Sequence, residues 1–239
     1  PEKKQFICFH SRDKRYLESF KFKRDFSYHD FRDSNIHDYL PAVEEMVKHD
    51  YYAVRVGSIV EEFLNVKNSK IIDYPSFSKK SAFLDLYLSA KSRFFLLSDT
   101  GLSNPPEVFK KPIVYVNNFI FCLLCRLSVQ NCIFIFKKLF LVREKRFLTF
   151  KEIAKRVFHT THTGHELKME GIEVVDNSQD EIVAATIEME KRLSGTWFPK
   201  KEDEELQARF WSLLPTGMSK SPDCRIGTQF LRDNSELLV

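Results

Sequence analysis

This chain lacks several features, and each absence excludes a class of protein. No run of about 20 apolar residues is present, so no segment reads as a membrane-crossing helix. The net charge is only +4 over 239 residues, with no dense Lys/Arg patch, which argues against a dedicated nucleic-acid binder. There is no GxSxG elbow to support Ser/His/Asp catalysis, no DxD-type metal motif, no internal repeat and no low-complexity linker. Cysteines are few and odd in number, at 8, 122, 125, 132 and 224. That is too sparse for a disulfide scaffold, and buried free thiols in a reducing compartment are expected instead. No secretory signal opens the chain, which begins at Pro1 rather than Met. A fragment starting just before its first strand is therefore expected.

What is present reads as an ordinary folded domain, with 43% hydrophobic and 29% charged residues and enough apolar side chains for a substantial core. Phenylalanine is unusually common, 23 copies against 8 Tyr and 2 Trp, and the sequence offers no functional account of the excess. Short apolar runs at 5–10, 51–56, 71–72, 94–97, 113–116 and 172–175 read as strands. Helix patterns fall between them. One opens at Ser34 or Asn35 with Ile36, Leu40, Val43 and Val47 on one face, a second opens at Ser81, and a short one follows Pro105-Pro106. Thr149 with Glu152 and Ser178 with Glu181 fit capping boxes for two later helices, and a further helix spans about 202–214. The alternation predicts an α/β, Rossmann-like domain, its mostly parallel sheet flanked by helices, spanning 1–239, with 196–239 as a C-terminal helical extension ending in a short surface helix or coil. Residues 119–148 read as a half-buried connector. The alternative there is peripheral membrane contact through Lys137, Lys138, Arg143, Lys145 and Arg146 among the phenylalanines.

In a parallel sheet, ligands collect at the carboxyl ends of the strands. Two such ends carry chemistry. The turn Ser98-Asp99-Thr100-Gly101 offers hydroxyls and backbone N–H groups that suit phosphate, and a plain loop is an equally good reading of it. His10 and Arg12 leave the first strand toward the same edge, where Arg32, Arg55 and the turn at Gly57 could converge, and paired guanidinium hydrogen bonds suit a diphosphate. His159, His162 and His165 could line one helix face for a metal, but Gly164 weakens that helix and no further ligand pattern completes the set, so a polar loop is the better reading. Cys122 and Cys125 form a CxxC filled with leucines, which reads as buried thiols.

The blocks HSRD, SYHDFRDSNIHDYLPAVEEMVKHDYYAVRVGS, KIIDYPSFSKKSAFLDLYLSAKSRFFLLSDTGL and KKPIVYVN resemble a group of bacterial glycosyltransferases of surface-polysaccharide clusters. FLTFKEI, GIEVVDNS, IEMEKRLSGTW, DEELQARFW and RIGTQFL extend that likeness over nearly the whole chain. The segment SDTGLSNPPEVFKKPIVYVN is similar to the donor-binding turn of GT-B enzymes and nucleotide-sugar epimerases. That resemblance implies a domain of the GT-B C-terminal type in which Ser98, Thr100 and Gly101 meet phosphate and Lys111-Pro112 is structural. His10 and Arg12 match a His-x-Arg of fucosyltransferase-like relatives, where the Arg holds the donor diphosphate. It further implies a nucleotide-sugar donor, a glycan or lipid-linked glycan acceptor, no added cofactor or metal, and a cytoplasmic location that could include the inner face of the membrane. GT-B enzymes use two such domains, and the resemblance implies that this chain supplies the donor-binding one, with an acceptor domain expected elsewhere. The rivals are a non-catalytic nucleotide- or glycan-binding module and an epimerase.

Overall fold

The computed structural model describes residues 4–19, 27–98, 100–118, 131–157, 163–213 and 223–239. Seven strands form one parallel sheet: β1 (Phe6–His10), β2 (Tyr52–Arg55), β3 (Ile71–Asp73), β4 (Phe95–Leu97), β5 (Ile113–Asn118), β6 (Cys132–Phe136) and, last in the chain, β10 (Cys224–Ile226). Their spatial order is β3-β2-β1-β4-β5-β6-β10. The chain thus winds outward from β1 to one edge, returns to the other side of β1 at β4, and winds to the opposite edge. This is a Rossmann-like, doubly wound α/β architecture, with its switch point between β1 and β4. Helices cover both faces of such a sheet, which is why β5 and β6 are buried at every residue and are apolar throughout but for Asn117 and Asn118 at the end of β5.

The flanking helices follow local rules. Asn35 caps a single 3-10 turn, Ile36–Tyr39, and the regular helix α2 (Leu40–Lys48) starts only there, with Pro41 in its first turn, where a missing N–H costs nothing. Ala42, Val43 and Met46 are the face that α2 buries. The remaining early helices are α1 (Arg15–Ser19), α3 (Ala82–Lys91), capped by Ser81, and the short α4 (Asn104–Val108). Thr149 and Glu152 exchange the expected reciprocal hydrogen bonds at the start of α5 (Phe150–Val157), as do Ser178 and Glu181 at α7 (Gln179–Leu193). The helix α6 (Gly164–Met169) lies between α5 and α7, and α8 (Lys201–Ser212) follows α7.

Four readings need correction. The described part of 119–148 is no half-buried connector, because β6 runs through it as a fully buried strand paired with β5 and β10. Residues 172–175 are indeed a strand, β9 (Ile172–Val175), but not the last one, and it joins β7 (Lys138–Leu141) and β8 (Arg146–Phe147) in a separate antiparallel sheet, β8-β7-β9. The C-terminal segment is no surface appendage: β10 forms an edge of the main sheet, and α9 (Thr228–Asp233) buries Thr228, Phe230 and Leu231. Its three-residue strand is too short to show a period, so only its pairing with β6 reveals it. Cys132 and Cys224 stand opposite each other in that pairing and form a disulfide, with Cα atoms 4.9 Å apart, whereas Cys8 is a buried free thiol as expected. Cys122 and Cys125 lie outside the described residues.

The phenylalanine excess has a packing explanation. Phe134 stacks on Tyr115 at 4.8 Å and on Phe136 at 6.4 Å, and Phe136 meets Phe150, Phe210 and Phe230 within 6.5 Å. One aromatic seam therefore joins β5 and β6 to α5, α8 and α9. Among the described residues, no helix is long and apolar enough to cross a membrane.

Candidate functional site

The carboxyl ends of β1 and β4 bring two of the predicted segments together. Ser98 is fully buried, and its hydroxyl accepts a hydrogen bond from the Arg12 backbone N–H at 2.8 Å. Around that clasp lies a cavity of about 520 Å³ whose walls include His10, Arg12, Arg32, Gly57, Thr100 and Gly101. Six of the eight predicted residues therefore share one crevice at the switch point. Ile59 and Leu102 add apolar surface, and Asp13 and Asp85 are its two carboxylates. Thr100 caps the 3-10 turn that Gly101 opens, accepting from the Leu102 N–H at 3.5 Å. Asp99 lies outside the described residues.

The other two predicted residues play different parts. Ser98 sits beneath the crevice as the clasp just described. Arg55 is 1% exposed; its guanidinium donates to the Glu62 carbonyl at 2.8 Å and pairs with Asp73 at 3.4 Å, and burial lowers its pKa. It lines a second cavity of about 530 Å³, on the other side of Asp13, rather than the first. That second cavity is walled by six carboxylates, Asp13, Asp30, Asp33, Glu61, Glu62 and Asp176, against the cations Lys14 and Arg55. An anionic ligand is repelled there and is better placed in the crevice that holds Arg12 and Arg32.

Two features shape the crevice floor. Gly57 has φ +129°, and a Cβ there would stand 3.2 Å from His10 Nδ1, so the turn lets the backbone approach the imidazole as only glycine can. His10 Nδ1 lies 2.9 Å from the Val56 carbonyl oxygen, which can only accept, so Nδ1 carries the proton and Nε2 presents a lone pair. Burial, assisted by the Arg55 charge, holds the imidazole pKa down to about 4. In the unfolded chain the same group takes up a proton near pH 6.5. Acidification from about 6.5 to 4 thus favours the unfolded state, by about 3 kcal/mol once the fall is complete. Comparing the pH dependence of urea unfolding in the wild type and His10→Asn isolates this slope. The imidazole itself should titrate near pH 4 by NMR, and a midpoint near 6.5 would refute the assignment.

Beneath the crevice runs a polar network that the sequence did not disclose. Arg12 forms an ion pair with Asp33 and donates to the His29 carbonyl at 3.1 Å. Burial pushes the Asp33 carboxyl up to about 6, against the pull of Arg12. Lys137, at the end of β6 and 2% exposed, donates to the Asp33 carbonyl at 2.5 Å and pairs with Asp176 at 2.7 Å. Asn117 and Asn177 exchange two backbone-to-side-chain bonds, at 2.6 and 2.7 Å, and Tyr39 bridges Ser34 and Asn117. The carboxyl ends of β1, β4, β5 and β6 are thereby tied into one polar layer. The signal for Lys137 was a lysine directly after CIFIF, at the polar end of a fully apolar strand. Reading it as a surface cation for membrane contact was wrong, and its neighbour Lys138 is likewise taken up by Glu181 at 2.8 Å.

Among the described residues no three His, Cys, Asp or Glu side chains are grouped to hold a metal ion, and His159 and His162 lie outside those residues. The architecture places a switch-point crevice over β1 and β4, but homology adds nothing to it: no family model, no curated protein and no solved structure matches this chain.

Proposed function

We propose that the chain is the nucleotide-sugar-binding domain of a glycosyltransferase that transfers the sugar to a glycan acceptor in surface-polysaccharide synthesis. One observation carries the reading: Arg12, Arg32, Thr100 and Gly101 converge on the crevice at the β1/β4 switch point, the position at which doubly wound sheets take nucleotides. In this reading the Arg12 and Arg32 guanidiniums face the diphosphate, and the Thr100–Gly101 turn lies alongside it. Charge developing on the departing nucleoside diphosphate is stabilised by groups already in place, which is the largest single contribution an active site of this kind makes. Ile59 and Leu102 supply an apolar wall for the base or the sugar ring. Arg55 leaves the site and becomes the buried anchor of the 57–66 loop, through the Glu62 carbonyl.

The resemblance of the sequence blocks to polysaccharide-cluster transferases supports the choice of a sugar nucleotide over other nucleotides. The donor serves as a substrate with no further cofactor, and the acceptor is a glycan, free or lipid-linked, presented by a partner domain. A second reading, a nucleotide-binding module without turnover, shares the same crevice. Calorimetric titration with nucleoside diphosphates and their sugars tests both, and binding of neither removes both. Release of free nucleoside diphosphate on adding glycan acceptors separates transfer from binding alone, and an epimerised sugar appearing without acceptor would move the assignment to an epimerase.

A further inference from the structure

Beside the crevice lies an apolar face that nothing in the described structure covers. On α3, Phe83 is 76% exposed, and Leu86 and Tyr87 follow at the spacing that sets them on the same side of the helix, each about half exposed. The Phe83 and Tyr87 rings stack, with centroids 6.2 Å apart. The short helix α4 packs against α3 and adds Val108, 76% exposed, with Phe109 directly after it. Single exposed apolar residues are ordinary, but four on two adjoining helices and a fifth directly after them mark an interaction surface.

Its frame is cationic. Lys79 precedes α3, Lys91 ends it one turn beyond Tyr87, and Lys110 and Lys111 follow α4, whereas Lys80 is held by the Ser58 and Pro75 carbonyls at 3.0 and 2.8 Å. Burial, with the neighbouring charges of Lys91 and Arg93, lowers the Lys111 pKa, so these cations stand close together. Each of the two helices carries one carboxylate, Asp85 accepting from Tyr74 and Glu107 accepting from the Tyr115 hydroxyl at 2.6 Å, so the lysines around them outnumber the acidic groups. We propose that the α3–α4 face docks on an anionic lipid bilayer, its aromatic and aliphatic side chains entering the interface and its lysines meeting the headgroups. A second copy of the chain fits less well, because a two-fold contact sets the lysine frame against itself. Asp85 and Leu102 line the nucleotide crevice, so docking brings the crevice to the membrane surface. That a lipid-linked acceptor is reached this way rests on the sugar-transfer reading, whereas docking itself does not.

Co-sedimentation of the full chain, without nucleotide, with vesicles of phosphatidylcholine alone or mixed with phosphatidylglycerol tests the proposal. The chain should partition onto the mixed vesicles only, and less so as salt screens the lysines. Phe83→Ser combined with Val108→Ser should lower that partition about tenfold while leaving thermal unfolding unchanged, since both side chains are exposed. Failure to bind anionic vesicles, or undiminished binding by the double variant, overturns the proposal. So does a concentration-dependent dimer that the double variant abolishes. Because no nucleotide is present, any of these results leaves the nucleotide titration to stand or fall separately.

Discussion

Phe136→Ala should destabilise the chain by about 3–5 kcal/mol, measured by urea unfolding. Phe136 is 2% exposed on β6, an interior strand between β5 and β10, and touches four other phenylalanine rings, from β6 itself, α5, α8 and α9. Truncation removes the transfer energy of one large ring. It also leaves a cavity whose walls are themselves aromatic rings, stiff and packed against one another, with Phe150 and Phe210 at 5.3 Å and Phe150 and Phe230 at 6.1 Å, so little collapse is available. Phe83→Ala is the matched control. Its ring is 76% exposed, and its loss should change stability by no more than about 0.5 kcal/mol. A cost below about 1.5 kcal/mol for Phe136→Ala would show that the seam is loosely packed and that the phenylalanine excess needs another explanation.

Arg12→Ala should weaken binding of a nucleoside diphosphate about hundredfold or more, because truncating one member of a charge-paired contact in a partly desolvated site costs several kcal/mol. The variant also strands Asp33, so a folding defect has to be separated from a binding defect. Asp33→Asn does this. It removes the same ion pair while keeping the guanidinium and its bond to the His29 carbonyl, and it should bind the diphosphate at least as well as the wild type. Equal losses in the two variants would mean that the pair is structural and that Arg12 does not meet the ligand. Undiminished binding by Arg12→Ala would remove Arg12 from the site altogether.

Much of this protein follows from its residues alone. The apolar runs of β1, β4 and β5 cannot be solvated on either face, and with helices of clear periodicity between most of them a parallel, two-sided sheet is the consistent solution, whereas β6 lay hidden in a stretch that read as a half-buried connector. The capping pairs Thr149/Glu152 and Ser178/Glu181 and the helix-opening Ser81 are local hydrogen-bond arrangements, so their positions could be read directly. His10, Arg12 and the 98–101 turn could be placed at one sheet edge because they end or closely follow a strand, and strand ends of a parallel sheet share a side.

Tertiary structure decided what depends on separation in sequence. The pairing of β10 with β6, and with it the Cys132–Cys224 bridge, joins residues 92 apart, and no local pattern encodes it. Arg55 was a candidate ligand by type and strand position, yet Asp73 on the neighbouring strand and the Glu62 carbonyl claim it, because a guanidinium buried that deeply requires partners. Lys137 likewise turned from a surface cation into a strut under the site once Asp33 and Asp176 met it. The sequence by itself thus determined the fold class and the sheet edge at which the crevice opens. Which arginines reach that crevice, and which are consumed in holding it open, was decided only when distant strands brought their carboxylates and carbonyls into place.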